Sequence, residues 1–188
     1  MRTKEFERAL VEIISKQPFF RRLLLETIFD EDTNIPTACV VFDGRFLINP
    51  EWFKGLSDCD RIFVILHEVL HIALCHFTRL GQRNKVLWNV ATDLAINSML
   101  SEMGFKVDKL KEVSLFPERF KLDKCLSAEE YYKLLLEMES QIFGKSGNNG
   151  ESNNDKKKED KEGKEDKGDK EGKEGKERGV KGDRKEKG

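Results

Sequence analysis

The sequence lacks the features that mark secreted and membrane-spanning proteins. Its four cysteines form no C-x-x-C pair, and the N-terminal stretch MRTKEFERALVEIISK has no apolar block of the kind found in signal peptides. No segment reaches the ~18 uninterrupted apolar residues that a membrane span needs. We therefore expect a cytoplasmic protein with reduced thiols and no membrane partner.

An excess of charge of one sign is also missing. Residues 1–150 carry 20 Lys+Arg and 22 Asp+Glu, whereas residues 151–188 carry 14 and 13. Proteins that bind nucleic acid through a positive patch need a clear basic excess. The sequence therefore does not predict a nucleic-acid partner.

Large apolar side chains almost vanish near the end of the sequence. Residues 144–188 contain only one, Val180, among alternating charges and irregularly spaced glycines. This composition is typical of disordered, low-complexity segments, and the irregular glycine spacing excludes a collagen repeat. We predict one folded domain at residues 1–143 and a disordered charged tail at residues 144–188, which could recruit a protein partner.

The three histidines of the sequence all lie between positions 67 and 76. His67-Glu68-Val69-Leu70-His71 is an H-E-x-x-H motif inside the apolar run IFVILHEVLHIALCHF, which predicts a buried helix from about residue 60 to 80. On a helix, His67 and His71 lie one turn apart on one face and can bind one zinc ion, while Glu68 polarises a zinc-bound water. Metal binding would also remove the cost, several kcal/mol, of burying these groups unpaired.

A catalytic zinc usually has three protein ligands, so a third one is needed. His76 is a poor candidate, because on an unbroken helix it lies about 180° from His67, and residues 72–75 offer no glycine for a bend. Cys75 could line the site, although packing as a small apolar residue is favoured. Arg79 and Arg83, which follow the motif, are expected to be structural or solvent-facing.

The next predicted helix, KVLWNVATDLAINSMLSEM, offers a better third ligand. Asn89, Asp93 and Asn97 recur at every fourth position and form a polar stripe on an otherwise apolar helix. Other exposed faces of this protein are rich in Lys and Glu, so the stripe indicates a buried site. We predict Asp93 as the third metal ligand, with Asn89 or Asn97 orienting the ligands or the substrate.

Other segments give a coarse outline of the fold. Helices are predicted at residues 3–16 and 18–29, a turn-rich stretch follows, and a hairpin has strands at residues 37–42 and 45–48 joined by a tight Asp43-Gly44 turn of type I′. A short turn begins at Pro50, and residues 104–126 are irregular. A last helix begins after Ser127, which forms a capping box with Glu130.

Three segments together resemble a known family. The run HEVLHIALCHFTR, the run WNVATDLAINSML and the upstream LINPEWF are similar to the zinc-metallopeptidase domain that precedes a von Willebrand A-like domain in many bacterial proteins. The resemblance covers roughly residues 5–140, and the charged tail stands where the second domain would begin. It implies zinc ligands at His67, His71 and Asp93 and a general base at Glu68. It also implies that the hairpin around residues 40–48 supplies an edge strand for a peptide or protein substrate.

These observations predict an α+β fold, a mostly helical zincin-like domain with a small antiparallel hairpin or sheet near the H-E-x-x-H helix. The favoured function is a zinc peptidase that uses a glutamate general base. A non-catalytic zinc-binding interaction module is the main alternative. A metal-dependent ribonuclease is less favoured, because such sites lack a Glu at the position of Glu68.

Overall fold

The computed structural model describes residues 3–145 of the chain and shows a mostly helical α+β fold, as predicted. The helices, in chain order, are α1 (Lys4–Lys16), α2 (Pro18–Glu26), α3 (Pro50–Lys54), α4 (Asp58–Ala73), α5 (His76–Arg79), α6 (Lys85–Glu102) and α7 (Ala128–Lys145). The strands are β1 (Ile28–Glu31), β2 (Ala38–Val40) and β3 (Arg45–Ile48), and a 3-10 helix spans Pro117–Phe120.

The three strands form one mixed sheet in the order β1-β3-β2. β2 and β3 are the predicted antiparallel pair, whereas β1 runs parallel to β3 and was not predicted. Residues 28 and 29 were predicted to end the second helix, but α2 stops at Glu26. The ring of Phe29 packs between Phe6 and Phe46, with centroid distances of 5.2 and 5.3 Å. This packing, together with pairing to β3, outweighs the local helical preference.

The hairpin turn is one residue longer than predicted. A type I′ turn needs positive φ at both Asp43 and Gly44, but among these two only Gly44 has it, with φ 84°. The Gly44 N–H donates to the Val41 carbonyl and the Val41 N–H donates to the Arg45 carbonyl, both at 2.9 Å. The prediction of a tight two-residue turn was therefore wrong, and a three-residue turn with glycine in the left-handed region takes its place.

Helix α4 carries the H-E-x-x-H motif and ends earlier than predicted. It begins after Ser57, whose hydroxyl accepts from the Asp60 N–H, and ends at Ala73 instead of near residue 80. Cys75 then adopts left-handed backbone angles, φ 54° and ψ 38°, and the short helix α5 starts at His76. The predicted unbroken helix was therefore wrong, because a non-glycine residue makes the bend. The turn predicted at Pro50 is the single-turn helix α3, capped by the side chain of Asn49.

Helix α7 confirms the predicted capping box. The Ser127 N–H donates to the Glu130 carboxylate at 2.8 Å, and the Glu130 N–H donates to the Ser127 hydroxyl at 3.3 Å. The helix runs to Lys145, two residues past the predicted end of the folded domain at residue 143, and residues 146–188 of the predicted tail lie outside the described residues. Within the described residues, no helix has the length and apolarity needed to cross a membrane.

Two apolar clusters fix helix α6 against the rest of the fold. The larger cluster joins α1, α2, the sheet and α4, and α6 contributes Ile96 and Leu100 to it. In the smaller cluster, Trp88 and Leu94 of α6 pack against Tyr131 of α7 and its neighbours. Each fully buried large apolar side chain contributes about 1.5–3 kcal/mol, so α4 and α6 are held firmly beside one another. These two helices carry the polar groups described next.

Candidate metal centre

Helices α4 and α6 bring the side chains of His67, His71 and Asp93 together. The two histidine Nε2 atoms are 3.0 Å apart, and Asp93 Oδ1 lies 3.6 Å from His67 Nε2 and 3.3 Å from His71 Nε2. A tetrahedral zinc ion with bonds of about 2.0–2.1 Å separates its ligand atoms by about 3.3 Å. The spacing and the donor set, two imidazoles and one carboxylate, therefore fit such an ion.

The tautomer of His67 follows from its hydrogen bonds. Asn97 is buried, and its amide nitrogen donates to the Leu115 carbonyl at 2.8 Å, which leaves the amide oxygen facing His67 Nδ1 at 2.8 Å. Because this oxygen can only accept, Nδ1 of His67 carries a proton, and in the neutral ring Nε2 therefore has the lone pair that can bind a metal. Asn97 thus orients a candidate ligand, in the position that the polar stripe predicted.

His71 faces a different residue, His76, on its Nδ1 side. The bend at Cys75 turns the buried His76 ring back towards α4, and its Nδ1 lies 3.1 Å from Nδ1 of His71. The sequence-based expectation that His76 points away was therefore wrong. His76 approaches His71 on the side opposite to the Nε2 atoms and is not part of the three-residue group. Cys75 is exposed and neither lines the site nor packs in the core.

Electrostatics favour an ionised Asp93 and a neutral His76. Burial opposes ionisation of Asp93, but the imidazoles of His67 and His71 that face its carboxylate hold the pKa of that carboxyl well below the usual range. Burial, with smaller contributions from His71 and Arg79, lowers the pKa of His76 to about 3. The site therefore offers one carboxylate charge. Asn89, the first residue of the predicted stripe, is exposed and only weakly linked to Asp93, at 3.5 Å.

Glu68 lies beside the three candidate ligands and faces open space. Two cavities, of ≈ 680 and ≈ 350 Å³, both reach His67, Glu68 and Asp93, and both are bordered by Ala38 of strand β2. Among the described residues, none donates a hydrogen bond to the Glu68 carboxylate. A half-buried carboxylate that lies beside candidate metal ligands and has no such donor among the described residues can accept a proton from a bound water.

A family model described as "Putative metallopeptidase domain" matches residues 1–188. The chain belongs to this metallopeptidase-domain family. The resemblance inferred from the H-E-x-x-H and WNVATDLAINSML segments is therefore confirmed at the level of the family.

A relative of this metallopeptidase domain occurs in Thermotoga maritima. It is described as an uncharacterized protein and is 29% identical over 151 residues, which cover 70% of this chain and 37% of the relative. The chain thus spans little more than a third of that protein's length. No solved structure matches the chain.

In the metallopeptidase domain, the basic residues after the motif hold α5 in place. Arg79 pairs with Glu129 of α7 and donates to the Leu74 carbonyl at 2.8 Å, while the Arg83 guanidinium lies 4.7 Å from the centre of the Trp88 ring. The indole N–H of Trp88 donates to the His76 carbonyl at 2.8 Å. These contacts hold His76 in place. The pairing of Arg79 with Glu129 joins residues 50 positions apart, and local sequence patterns do not indicate such a contact.

Proposed function

We propose that this chain is a zinc-dependent peptidase that hydrolyses peptide bonds with Glu68 as general base. The proposal depends on the position of the Glu68 carboxylate, which has no hydrogen-bond donor among residues 3–145 and lies beside three convergent ligand atoms of His67, His71 and Asp93. Two imidazoles and a carboxylate suit zinc among the divalent metals. Membership of the metallopeptidase-domain family supports the same reaction class.

The chain's own residues account for the proton transfers of this reaction. A zinc ion held there would act as a Lewis acid, which would lower the pKa of a water molecule and polarise the carbonyl of the scissile bond. Glu68 accepts the proton of the attacking water as the new C–O bond forms, and it then delivers the proton to the amine nitrogen as the C–N bond breaks. Asn97 holds His67 in the tautomer that leaves Nε2 free.

Strand β2 offers the substrate a place to bind in extended form. β2 lies at one edge of the sheet, and the flanking Thr37 and Val41 hydrogen-bond towards β3, at 2.7 and 2.9 Å. Since bonding alternates along an antiparallel strand, the backbone groups of Ala38 and Val40 point away from β3. They can pair with a peptide, and cavities on both sides of Glu68 leave room for residues before and after the cleaved bond. We therefore propose peptides cleaved at internal bonds.

The first test measures metal content and cleavage together. Wild type and Glu68→Gln are expected to hold one zinc per chain, and only the wild type is expected to cleave a quenched peptide library with blocked ends. Glu7→Gln makes the same chemical change at an exposed position of α1 and is expected to keep both properties. Zinc binding with equal inactivity of all three proteins would contradict the peptidase and favour a non-catalytic zinc-binding module.

A second test addresses the edge strand. Ala38→Pro removes the outward N–H without touching the hydrogen bonds to β3, so KM for peptides is expected to rise while zinc content stays unchanged. Ala38→Val keeps the N–H and serves as the matched control. An unchanged KM in Ala38→Pro would contradict pairing of the substrate with β2.

A further inference from the structure

The two candidate histidine ligands are held by unlike partners. His67 Nδ1 faces the amide oxygen of Asn97 at 2.8 Å, whereas His71 Nδ1 faces an imidazole nitrogen of His76 at 3.1 Å. Both Nε2 atoms point towards Asp93. Each ring thus has a contact at its Nδ1 atom, and its Nε2 atom is left to bind a metal. The sequence predicted that Asn89 or Asn97 orients the ligands or the substrate, but it did not predict a partner for His71.

His76 is placed for this contact by its backbone. The left-handed angles of Cys75 reverse the chain after α4, and the His76 carbonyl accepts a hydrogen bond from the Trp88 indole at 2.8 Å. The rings of His76 and His71 meet at 80°, an edge-on arrangement that directs one Nδ1 at the other. His76 is only 3% exposed, so water does not compete freely for this contact.

Chemistry decides the direction of the hydrogen bond when His71 serves as a ligand. A metal bound through Nε2 needs the lone pair of that nitrogen, so the proton of neutral His71 must lie on Nδ1. The Nδ1–H can donate only to an acceptor, and the Nδ1 lone pair of His76 is the acceptor within reach at 3.1 Å. Partners of this kind typically change metal affinity about 10–100-fold when they are removed.

We propose that His76 is a positioning residue, which accepts a hydrogen bond from His71 Nδ1 and thereby holds His71 in the ring orientation and tautomer that bind the metal. This proposal rests on the metal site of the proposed function. It assigns His76 no contact with metal or substrate.

Three variants of His76 separate positioning from packing. The amide oxygen of Asn takes nearly the place of imidazole Nδ1, whereas the amide of Gln reaches the place of Nε2, and Leu keeps bulk but offers no acceptor. In competition with a chelator, His76→Leu and His76→Gln are expected to bind zinc about 10–100-fold more weakly than wild type. The zinc affinity of His76→Asn is expected to stay within about threefold of the wild-type value. The visible spectrum of bound cobalt is expected to change in the Leu and Gln variants and to stay close to wild type in the Asn variant.

A spectroscopic measurement provides an independent readout. In ¹H–¹⁵N spectra of the zinc-bound protein, the Nδ1–H of His71 is expected to give a signal protected from exchange in wild type and His76→Asn, and a weakly protected one in His76→Leu. Equal zinc affinity in wild type, His76→Leu and His76→Gln would overturn the positioning role. An equal loss of zinc affinity in His76→Asn and His76→Gln would overturn it as well. If His76→Leu fails to fold, the Asn and Gln pair decides the question.

The outcomes also distinguish this inference from the proposed function. Wild-type protein that takes up no zinc overturns both. Wild-type protein that binds zinc and cleaves peptides, alongside His76 variants with unchanged affinity and cobalt spectra, overturns only the role of His76.

Discussion

Two aspartates of this fold, Asp60 and Asp93, each lie in a group of three side chains whose spacing could hold a metal ion. The carboxylate of Asp60, which is fully buried, accepts hydrogen bonds from the backbone N–H groups of Asp108 and Lys109 at 2.8 and 3.0 Å and from the Ser57 hydroxyl at 2.6 Å. The carboxylate of Asp93 faces two imidazole nitrogens instead. The two groups have similar spacing, but they differ in the hydrogen-bond partners of their carboxylates.

This difference distinguishes a structural carboxylate from a candidate ligand. A metal at Asp60 would displace the hydrogen bonds that its buried carboxylate already accepts, and each such bond to a charged group contributes about 1.5–3 kcal/mol. A metal at Asp93 would replace contacts with imidazoles that are themselves good metal ligands. The Asp60 carboxylate ties the start of α4 to the loop at residues 108–109, whereas Asp93 remains available.

The largest expected effect concerns metal affinity. Asp93→Ala removes a proposed ligand and is expected to weaken zinc binding by more than about 100-fold, beyond the loss typical of outer partners. Asp60→Asn and Cys59→Ala, in the other group, are expected to leave affinity unchanged. Competition with a chelator measures all three. A loss of zinc in a folded Asp60 variant would mean that the two groups are not as different as their hydrogen bonds indicate.

The next effect concerns stability. Asp60→Ala removes a buried carboxylate that accepts hydrogen bonds from two backbone N–H groups and the Ser57 hydroxyl, and it is expected to lower the free energy of unfolding by about 3 kcal/mol. Urea denaturation of the metal-free proteins measures this value, with metal-free Asp93→Ala as the matched control. We expect a smaller loss in the control, because the imidazoles of His67 and His71 can turn to one another or to solvent. The reverse order would contradict the structural role of Asp60.

The smallest effect concerns pH. Burial raises the pKa of Asp60, but the Ser57 hydroxyl and the backbone N–H groups outweigh burial and hold the pKa below its ordinary value. The ionised form thus stabilises the fold fully above the unfolded-state pKa of about 3.9, and this contribution is lost as the pH falls through the lower folded-state pKa. In urea titrations of metal-free protein between pH 3 and 6, Asp60→Asn is expected to show a weaker loss of stability towards low pH. Parallel curves would contradict this assignment.

Local patterns allowed much of the candidate site to be predicted. The spacing of His67 and His71 needs only one regular helix, and the stripe of Asp93 and Asn97 needs only another. The capping box at Ser127 is equally local, since its partner is three residues away. Each of these predictions depended on side chains within one or two helical turns, where backbone geometry fixes the neighbours.

Features that depend on distant contacts could not be predicted in the same way. Strand β1 forms because Phe29 packs on residues of α1 and β3, which are remote in sequence. The bend at Cys75 contradicts the local preference, since a non-glycine residue rarely takes left-handed angles. Its consequence, the return of His76 to His71, depends in turn on Trp88. The pairing of Asp60 with residues 108–109 likewise has no local signature.

The bend at Cys75 also has a consequence for the order of folding. Residues 72–80 contain no glycine or proline, so in the unfolded chain the nascent helix of the motif is expected to run on through them. That extended helix would carry His76 on the wrong face. The left-handed turn becomes favourable only once α5 docks against Trp88 and Glu129. We therefore expect the contact between His71 and His76 to form late, after α4, α6 and α7 have come together. Its formation would then mark the last step of folding.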